Sequence, residues 1–407
     1  MAIRILSMVM RKKLLIAGFF LAFALSGVLS AVFPNNVRIE PNLWFGADIG
    51  RVINDMAEPL ANHYRLKVHP LFSLIVLPVA RPVYWIGRLM GFDGGLSKGI
   101  AAQFVTSMSA GATWILIYLL AIRMGLSRFA SLGISLLFLS STAFLFWWST
   151  PETFPLGAVT ILLPLILLAY NIKSHKVWVM ALVGSLSMTT TNWGAGLIAS
   201  LVRFGLRKAF LGLCGMTLLL TSLLICVQKA YLPSAGLPFQ LGEERTYIKR
   251  SVRPFETAYQ FFVAPVAPLT PSVIIGEGRY SQFTFALPGW SDISLLRIST
   301  ATAWLALLFN GIYAALSRRD NSVSIALACF LGFQFLLHSF YGDSPFLYSA
   351  HYVPAMVLLA GYGLTAMPEA HKKSITLLVY VLALILLPLN LVYLYESFKL
   401  GVAHLAG

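Results

Sequence analysis

Apolar runs of about twenty residues, each long enough to cross a bilayer as a helix, recur from Leu14 to near residue 396. A backbone that crosses hydrocarbon repeatedly must satisfy its own hydrogen bonds, so the chain can only be a bundle of helices. The composition agrees: 58% of the 407 residues are hydrophobic and 11% are charged, against roughly 25% charged in soluble domains. The sequence therefore predicts an all-α polytopic membrane protein. Cys214, Cys226 and Cys329 lie inside apolar runs and read as core residues, not as disulfides or metal ligands.

Arg11, Lys12 and Lys13 precede a first run from Leu14 to Phe33. The run is longer than a signal-peptide core and has no clear cleavage site, so it reads as a retained span with a cytoplasmic N-terminus. The segment Leu71–Phe92 is long enough to span but contains Pro78, Arg81, Pro82 and Arg88. If it lies re-entrant or flat on the outer side, the remaining spans are 98–122, 129–148, 153–172, 177–190, 194–206, 209–231, 298–316, 321–339, 352–367 and 374–396. The connections Arg123–Arg128, Lys173–Lys176, Arg203–Lys208, Arg318–Arg319 and Lys372–Lys373 then all face the cytoplasm, and each is basic. That reading gives about eleven spans. It divides the chain into a module at 1–231 with a polar first outer loop at 34–97, a long outer loop at 232–297, and a second module at 298–407.

The net charge is +15, and much of it falls on the outer segments, where topology does not require it. Positive charge there points to an anionic ligand at the membrane surface, such as a lipid phosphate. The most polar stretch is Trp44–Pro70. Ile49, Val52, Ile53, Met56 and Leu60 recur at helical spacing, and Asp48, Arg51, Asp55 and Glu58 form a second stripe. This predicts a short interfacial amphipathic helix ended near Pro59, followed by a tail of Asn62, His63, Tyr64, Arg65, Lys67 and His69. A second amphipathic stretch carries Ile248, Val252, Phe255, Tyr259 and Phe262 on one face and Arg245, Lys249 and Arg253 on the other, with a kink expected at Pro254.

Asp48 is the first candidate for a general base, with Asp55 and Glu152 as further acidic candidates. Ordinary surface ion pairing explains Asp48 and Arg51 equally well, and Glu152 alone could be a helix cap. Tyr64, Asn192 in the turn 189–193, and Tyr348 and His351 ahead of Pro354 are candidate substrate contacts. No zinc spacing occurs, though a loosely held divalent ion (Mg or Mn) between Asp48 and Glu152 is compatible with the residues. Neither a Walker motif nor a dinucleotide or nucleic-acid pattern is present.

The order of these features resembles the GT-C superfamily of membrane glycosyltransferases, which includes the protein O-mannosyltransferases and the aminoarabinose transferases of lipid A. The shared elements are a first span, an acidic residue soon after it (Asp48), His69-Pro70-Leu71 opening an apolar segment, a span ending at a basic turn, and an acidic residue in the next outer loop (Glu152). Many members have two adjacent acidic residues in the first loop, whereas Asp48 is followed here by Ile49. The resemblance implies a polyprenyl-phosphate sugar donor, used with inversion at the non-cytoplasmic face. It implies a lipid, glycan or protein acceptor. Arg51, Arg65, Lys67, His69, Arg245, Lys249 and Arg253 would hold the donor phosphate. The compact loops and the lack of an organelle retention signal suggest a bacterial inner membrane. A flippase for lipid-linked glycans and an O-antigen polymerase or ligase are the competing readings. The first would show paired halves or midplane polar residues, and the second would not need the acidic first loop followed by His-Pro.

Overall fold

The computed structural model describes residues 2–32, 43–238, 242, 244–248, 253–276, 281–289, 293–342 and 344–406, with side chains from Lys12 onward. Helices dominate: α1 (Ala2–Val32), α2 (Ile49–Ala57), α3 (Phe72–Leu89), α4 (Gly94–Arg123), α5 (Arg128–Ser140), α6 (Thr142–Trp147), α7 (Thr153–Ala169), α8 (His175–Met188), α9 (Trp193–Phe204) and α10 (Lys208–Tyr231). After a short α11 (Pro254–Ala258) come α12 (Leu295–Arg318), α13 (Ser322–Phe340), α14 (Ser349–Ala366) and α15 (Glu369–Ala406). The chain is a polytopic helical membrane protein. Among the described residues seven helices are long and apolar enough to cross a bilayer. Lys12–Val32, Gly94–Arg123, Lys208–Tyr231, Leu295–Arg318, Ser322–Phe340 and Glu369–Leu405 fall on expected spans, and the remaining one is Phe72–Leu89.

That last helix is the segment expected to lie re-entrant or flat; its length and composition fit a span. At its start Leu71 N donates to Ser187 O (3.2 Å) and Ser73 Oγ meets His63 Nδ1 (3.2 Å). Midway, Arg81 Nη1 donates to Ala57 O at the end of α2 (3.2 Å). At its close Gly87 packs against Ser97, where a Cβ would come within 3.1 Å of Oγ. Ala57 closes the helix that follows Asp48, and His63 lies in the turn after it. Elsewhere Arg318 Nη1 donates to Thr365 O (3.2 Å), beside the Lys372 and Lys373 turn.

Three local outcomes differ from the sequence reading. The expected span 129–148 breaks at Ser141, whose Oγ accepts from Phe144 N (3.2 Å) and so starts a new helix. Pro254 does not kink a helix; it occupies the first position of α11, where a missing N–H costs nothing. A turn of wider pitch, Tyr259–Val263, follows it. Cys226 and Cys329, expected in the core, are exposed on the bundle perimeter, where a weakly polar thiol sits comfortably against lipid.

A small antiparallel hairpin pairs β1 (Val273–Ile275) with β2 (Gln282–Thr284) in the register Ile274↔Phe283. Phe283 N donates to Leu43 O (2.7 Å), which ties the hairpin to the chain leaving α1. Trp44 stacks on Phe283 (4.4 Å between centroids), and Phe45 packs on Phe346 (4.5 Å) and Phe285 (5.5 Å). Phe45 and Gly46 both have positive φ (56° and 81°) and reverse the chain there. For Phe45 that conformation costs about 1 kcal/mol or more, offset by full burial of its ring. Asp48 is thus delivered to α2 from a rigid aromatic anchor.

Candidate active site

α2 forms because its apolar positions share one stripe. Val52, Met56 and Ala57 are buried with Leu66, Phe72, Val76 and Ala101 in a core between α2, α3 and α4. The helix stops at Ala57, two residues before Pro59, since the residue preceding a proline is steered out of the helical region. This packing leaves Asp48, Arg51 and Asp55 on one edge.

Arg51 is the centre of that edge. Its Nε donates to Asp48 Oδ2 (2.7 Å) and its Nη1 to Asp55 Oδ2. Burial works against its charge, but Asp55, Glu152 and Asp48 together raise its pKa. Asp55 is buried, and its other oxygen meets His63 Nδ1 at 2.8 Å. His63 Nε2 faces Glu58 O (3.1 Å) and Pro59 O (3.3 Å), and Ser73 Oγ adds a contact to Nδ1. With both carboxylate oxygens occupied, Asp55 braces Arg51. Asp48 is different: its side chain is 41% exposed and makes no helix-cap hydrogen bond.

Glu152 precedes α7 and caps it, Oε2 accepting from Thr153 N (2.7 Å) and Thr153 Oγ1 (3.3 Å). Burial pushes its pKa up to about 7; Arg51 and the Thr153 amide pull it back, and the charge of Asp48 raises it further. Thus the cap expected as the plain explanation is present, and Glu152 also shares the field of Arg51 with Asp48. His69 donates from Nδ1 to Met188 O (2.6 Å), since a carbonyl only accepts. Burial and then Arg51 lower its pKa to about 3. The ring is therefore neutral with Nε2 unprotonated, an acceptor for a hydroxyl and not a donor to a phosphate.

The other candidates fall into three groups. Lys67 is buried beneath the Tyr64 ring (5.6 Å), and Arg65 lies over the Tyr247 ring (5.9 Å). Tyr247 O in turn accepts from Gly342 N (2.9 Å), so the 244–248 turn with Arg245 lies over this side of the site. Arg253 is exposed and paired with Glu256 (3.3 Å), while Lys249 lies outside the described residues. Deeper, Asn192 Nδ2 is 3.4 Å from His351 Nε2, with His351 edge-on to Phe154 (5.2 Å) and Tyr348 stacked on His338 (4.2 Å). Both Asn192 and His351 are buried, and Asn192 Oδ1 has no partner among the described residues. Gly157 makes room for the pair: a Cβ there would sit 2.6 Å from His351 Nε2.

Among the described residues no three His, Cys, Asp or Glu side chains converge as metal ligands. The guanidinium of Arg51 already binds Asp48 and Asp55 and stands near Glu152. His63 and Ser73 join the site without a motif to announce them. Only the closure of the loop across Pro59 brings His63 back to Asp55, and no periodicity reports it.

No family model matches the chain, and no curated protein matches it in sequence. The fold resembles that of a solved membrane protein, ArnT. It matches the crystal structure of ArnT from Cupriavidus metallidurans bound to undecaprenyl phosphate over 95% of this chain and 74% of that one, at 12% identity and a TM-score of 0.50. The apo structure of the same ArnT matches over 96% and 75%, at 12% identity and a TM-score of 0.51. The likeness bears out the expected helical membrane fold.

Proposed function

We propose that the protein moves a sugar from a polyprenyl-phosphate carrier to an acceptor hydroxyl. The observation that carries this is the half-exposed Asp48 carboxylate, fixed by Arg51 Nε at 2.7 Å beside the buried Glu152. Asp48 takes the acceptor's proton as the acceptor oxygen attacks the anomeric carbon opposite the phosphate. The bond from that carbon to the phosphate oxygen breaks, the polyprenyl phosphate leaves with its electron pair, and the sugar inverts. Arg51, with Arg65 and Lys67 on the adjoining turn, meets the charge that gathers on the leaving phosphate. His69 Nε2 accepts from a sugar hydroxyl, and Glu152 holds the acceptor. Undecaprenyl phosphate bound to a structure of the same fold favours a polyprenyl carrier. By the positive-inside rule the end of the bundle with Lys372, Lys373 and Arg318 is cytoplasmic, so the site faces outward, from a bacterial inner membrane.

The test is transfer by the purified chain in detergent, given radiolabelled polyprenyl-phosphate sugars and a membrane lipid extract. Label should pass to a new product in the wild type and not in Asp48→Asn. Undiminished transfer by Asp48→Asn would remove Asp48 from the chemistry. No transfer from any donor, with saturable binding of a lipid-linked glycan, would favour a flippase.

A further inference from the structure

A groove of about 850 Å³ runs between α1, α2 and α4. Its size falls within the roughly 300–1,000 Å³ of small-ligand sites. Its walls are Phe23, Ile53, Ile100 and Phe104 with three glycines of α1 and α4, and Ile100 and Leu96 stay partly exposed along its open side. Ile49, Gly50 and Pro151 line it as well, and these are the neighbours in sequence of Asp48 and Glu152. The groove therefore runs from the bundle perimeter to residues adjoining the two acids.

α2 separates this groove from the cations. Ile49, Gly50, Ile53 and Asn54 face the groove, whereas Arg51 turns toward Asp55 and Glu152. Arg65 and Lys67 stand on the far side, against Tyr247 and Gly236. Among the described residues the one cation lining the groove, Lys98, is paired: its Nζ lies 3.4 Å from Glu58 and 3.3 Å from Asn54 Oδ1. A phosphate gains little there. A hydroxyl gains more, because Gln103 spends its Nε2 on Ser26, Ser107 and Trp148 O while its buried Oε1 has no partner among the described residues.

We propose that this groove takes the hydrocarbon chain of the acceptor, and that the acceptor is a membrane lipid with an uncharged, hydroxyl-bearing headgroup. The proposal rests on the transferase reading and names its acceptor class. With the lipid-phosphate donor held on the cation side of α2 and the acceptor chain on the other, the two headgroups meet at Asp48.

Gly99 lines the groove, and a Cβ there meets nothing within 4 Å, so Gly99→Phe fills the space without a backbone clash. Gly27→Leu is the second variant; its Cβ meets only Ser107 Oγ, at 3.9 Å. The full chain is placed in phosphatidylcholine nanodiscs with trace diazirine-bearing monoglucosyl diacylglycerol, or with diazirine-bearing undecaprenyl phosphate. The glycolipid should label peptides containing Phe23 and Phe104, in competition with unlabelled glycolipid but not with phosphatidylcholine. Labelling should fall about tenfold or more in both variants, with the affinity for undecaprenyl phosphate unchanged. Labelling that glycolipid does not compete would overturn the proposal, since the groove would then hold only bulk lipid. Labelling of the groove by undecaprenyl phosphate, lost in Gly99→Phe, would assign it to the donor and overturn the proposal too. Failure of undecaprenyl phosphate to bind at all would count against the donor reading and leave the glycolipid selectivity of the groove standing.

Discussion

Arg51 and Arg297 are both withdrawn from water, and their surroundings could hardly differ more. Arg297 is 2% exposed. It donates to Asn390 Oδ1 (3.0 Å), Pro268 O (3.3 Å) and Leu389 O (2.5 Å), and its guanidinium covers the Tyr393 ring at 3.5 Å. Those partners are all neutral groups. Asn390 passes the load on, its Nδ2 donating to Ser140 O and Val266 O (both 2.8 Å), so one knot joins α5, α12, α15 and the loop before β1. Leu389 follows Pro388 in the middle of α15. Arg51 instead binds two carboxylates and stands in the field of a third, with one of them, Asp48, open to a ligand. A buried arginine among carbonyls is fastening helices together. One with more carboxylates around it than its charge can satisfy is holding acids in place for something else.

The largest contrast comes from exchanging the two. Arg51→Lys keeps the charge but loses the fork that reaches Asp48 and Asp55 together. Two charge-assisted hydrogen bonds of roughly 1.5–3 kcal/mol each are at stake. Sugar transfer should fall about 100-fold, and the thermal midpoint should drop as well, by less than in Arg297→Leu. Arg297→Leu leaves buried Asn390 and two carbonyls without a donor, at roughly 1–3 kcal/mol each. It should lower the thermal midpoint and the yield of folded protein, while the surviving fraction keeps its turnover. Reversal of this pattern, with Arg51→Lys unfolding and Arg297→Leu inactive but stable, would break the comparison.

A smaller effect is expected one layer below the site. Gly157→Ala pushes a Cβ to within 2.6 Å of His351 Nε2 and 2.8 Å of Asn192 Nδ2. Overpacking of this kind costs roughly 1–3 kcal/mol. Thermal melts should show a loss of stability, and turnover should fall less than in Arg51→Lys. An unchanged melting point would mean that the His351–Asn192 pair is not packed as described.

The subtlest test uses pH. The folded chain holds the Glu152 proton up to about pH 7, whereas an unfolded glutamate releases it near its ordinary value of 4.5. Between those values the folded state binds more protons, so the contribution of Glu152 to stability declines as pH rises through that window. Glu152→Gln removes the ionisation. Melting points taken from pH 4.5 to 8 should therefore fall less steeply with rising pH in the variant than in the wild type. Parallel curves would mean that Glu152 titrates as an ordinary surface acid.

The contrast also marks what the amino-acid order made legible. The Asp48–Arg51–Asp55 stripe, the stop before Pro59 and the acid at Glu152 are local patterns, set by helical period and by proline, and the structure keeps them. The broad division into apolar spans was legible for the same reason. His63 was not: its bond to Asp55 closes a loop through a turn with no periodicity. Arg297 was passed over at the edge of a long loop, because only tertiary packing supplies its carbonyls. The β1–β2 hairpin escaped notice too, since two strands of three residues leave hardly any alternation to read. Lys67 and His69 looked like equal phosphate ligands in the sequence, and only the Met188 carbonyl separates them, by fixing the histidine tautomer.

The most direct measurement is the affinity of the purified full-length chain for undecaprenyl phosphate in wild type, Asp48→Asn and Arg51→Met. If Arg51 meets the donor phosphate and Asp48 serves the acceptor, Arg51→Met should bind about tenfold more weakly or worse. Asp48→Asn should bind at least as tightly as the wild type, having lost a negative charge beside the site, and yet transfer no sugar. Equal losses of affinity in both variants, or none in either, would contradict that division of labour across α2.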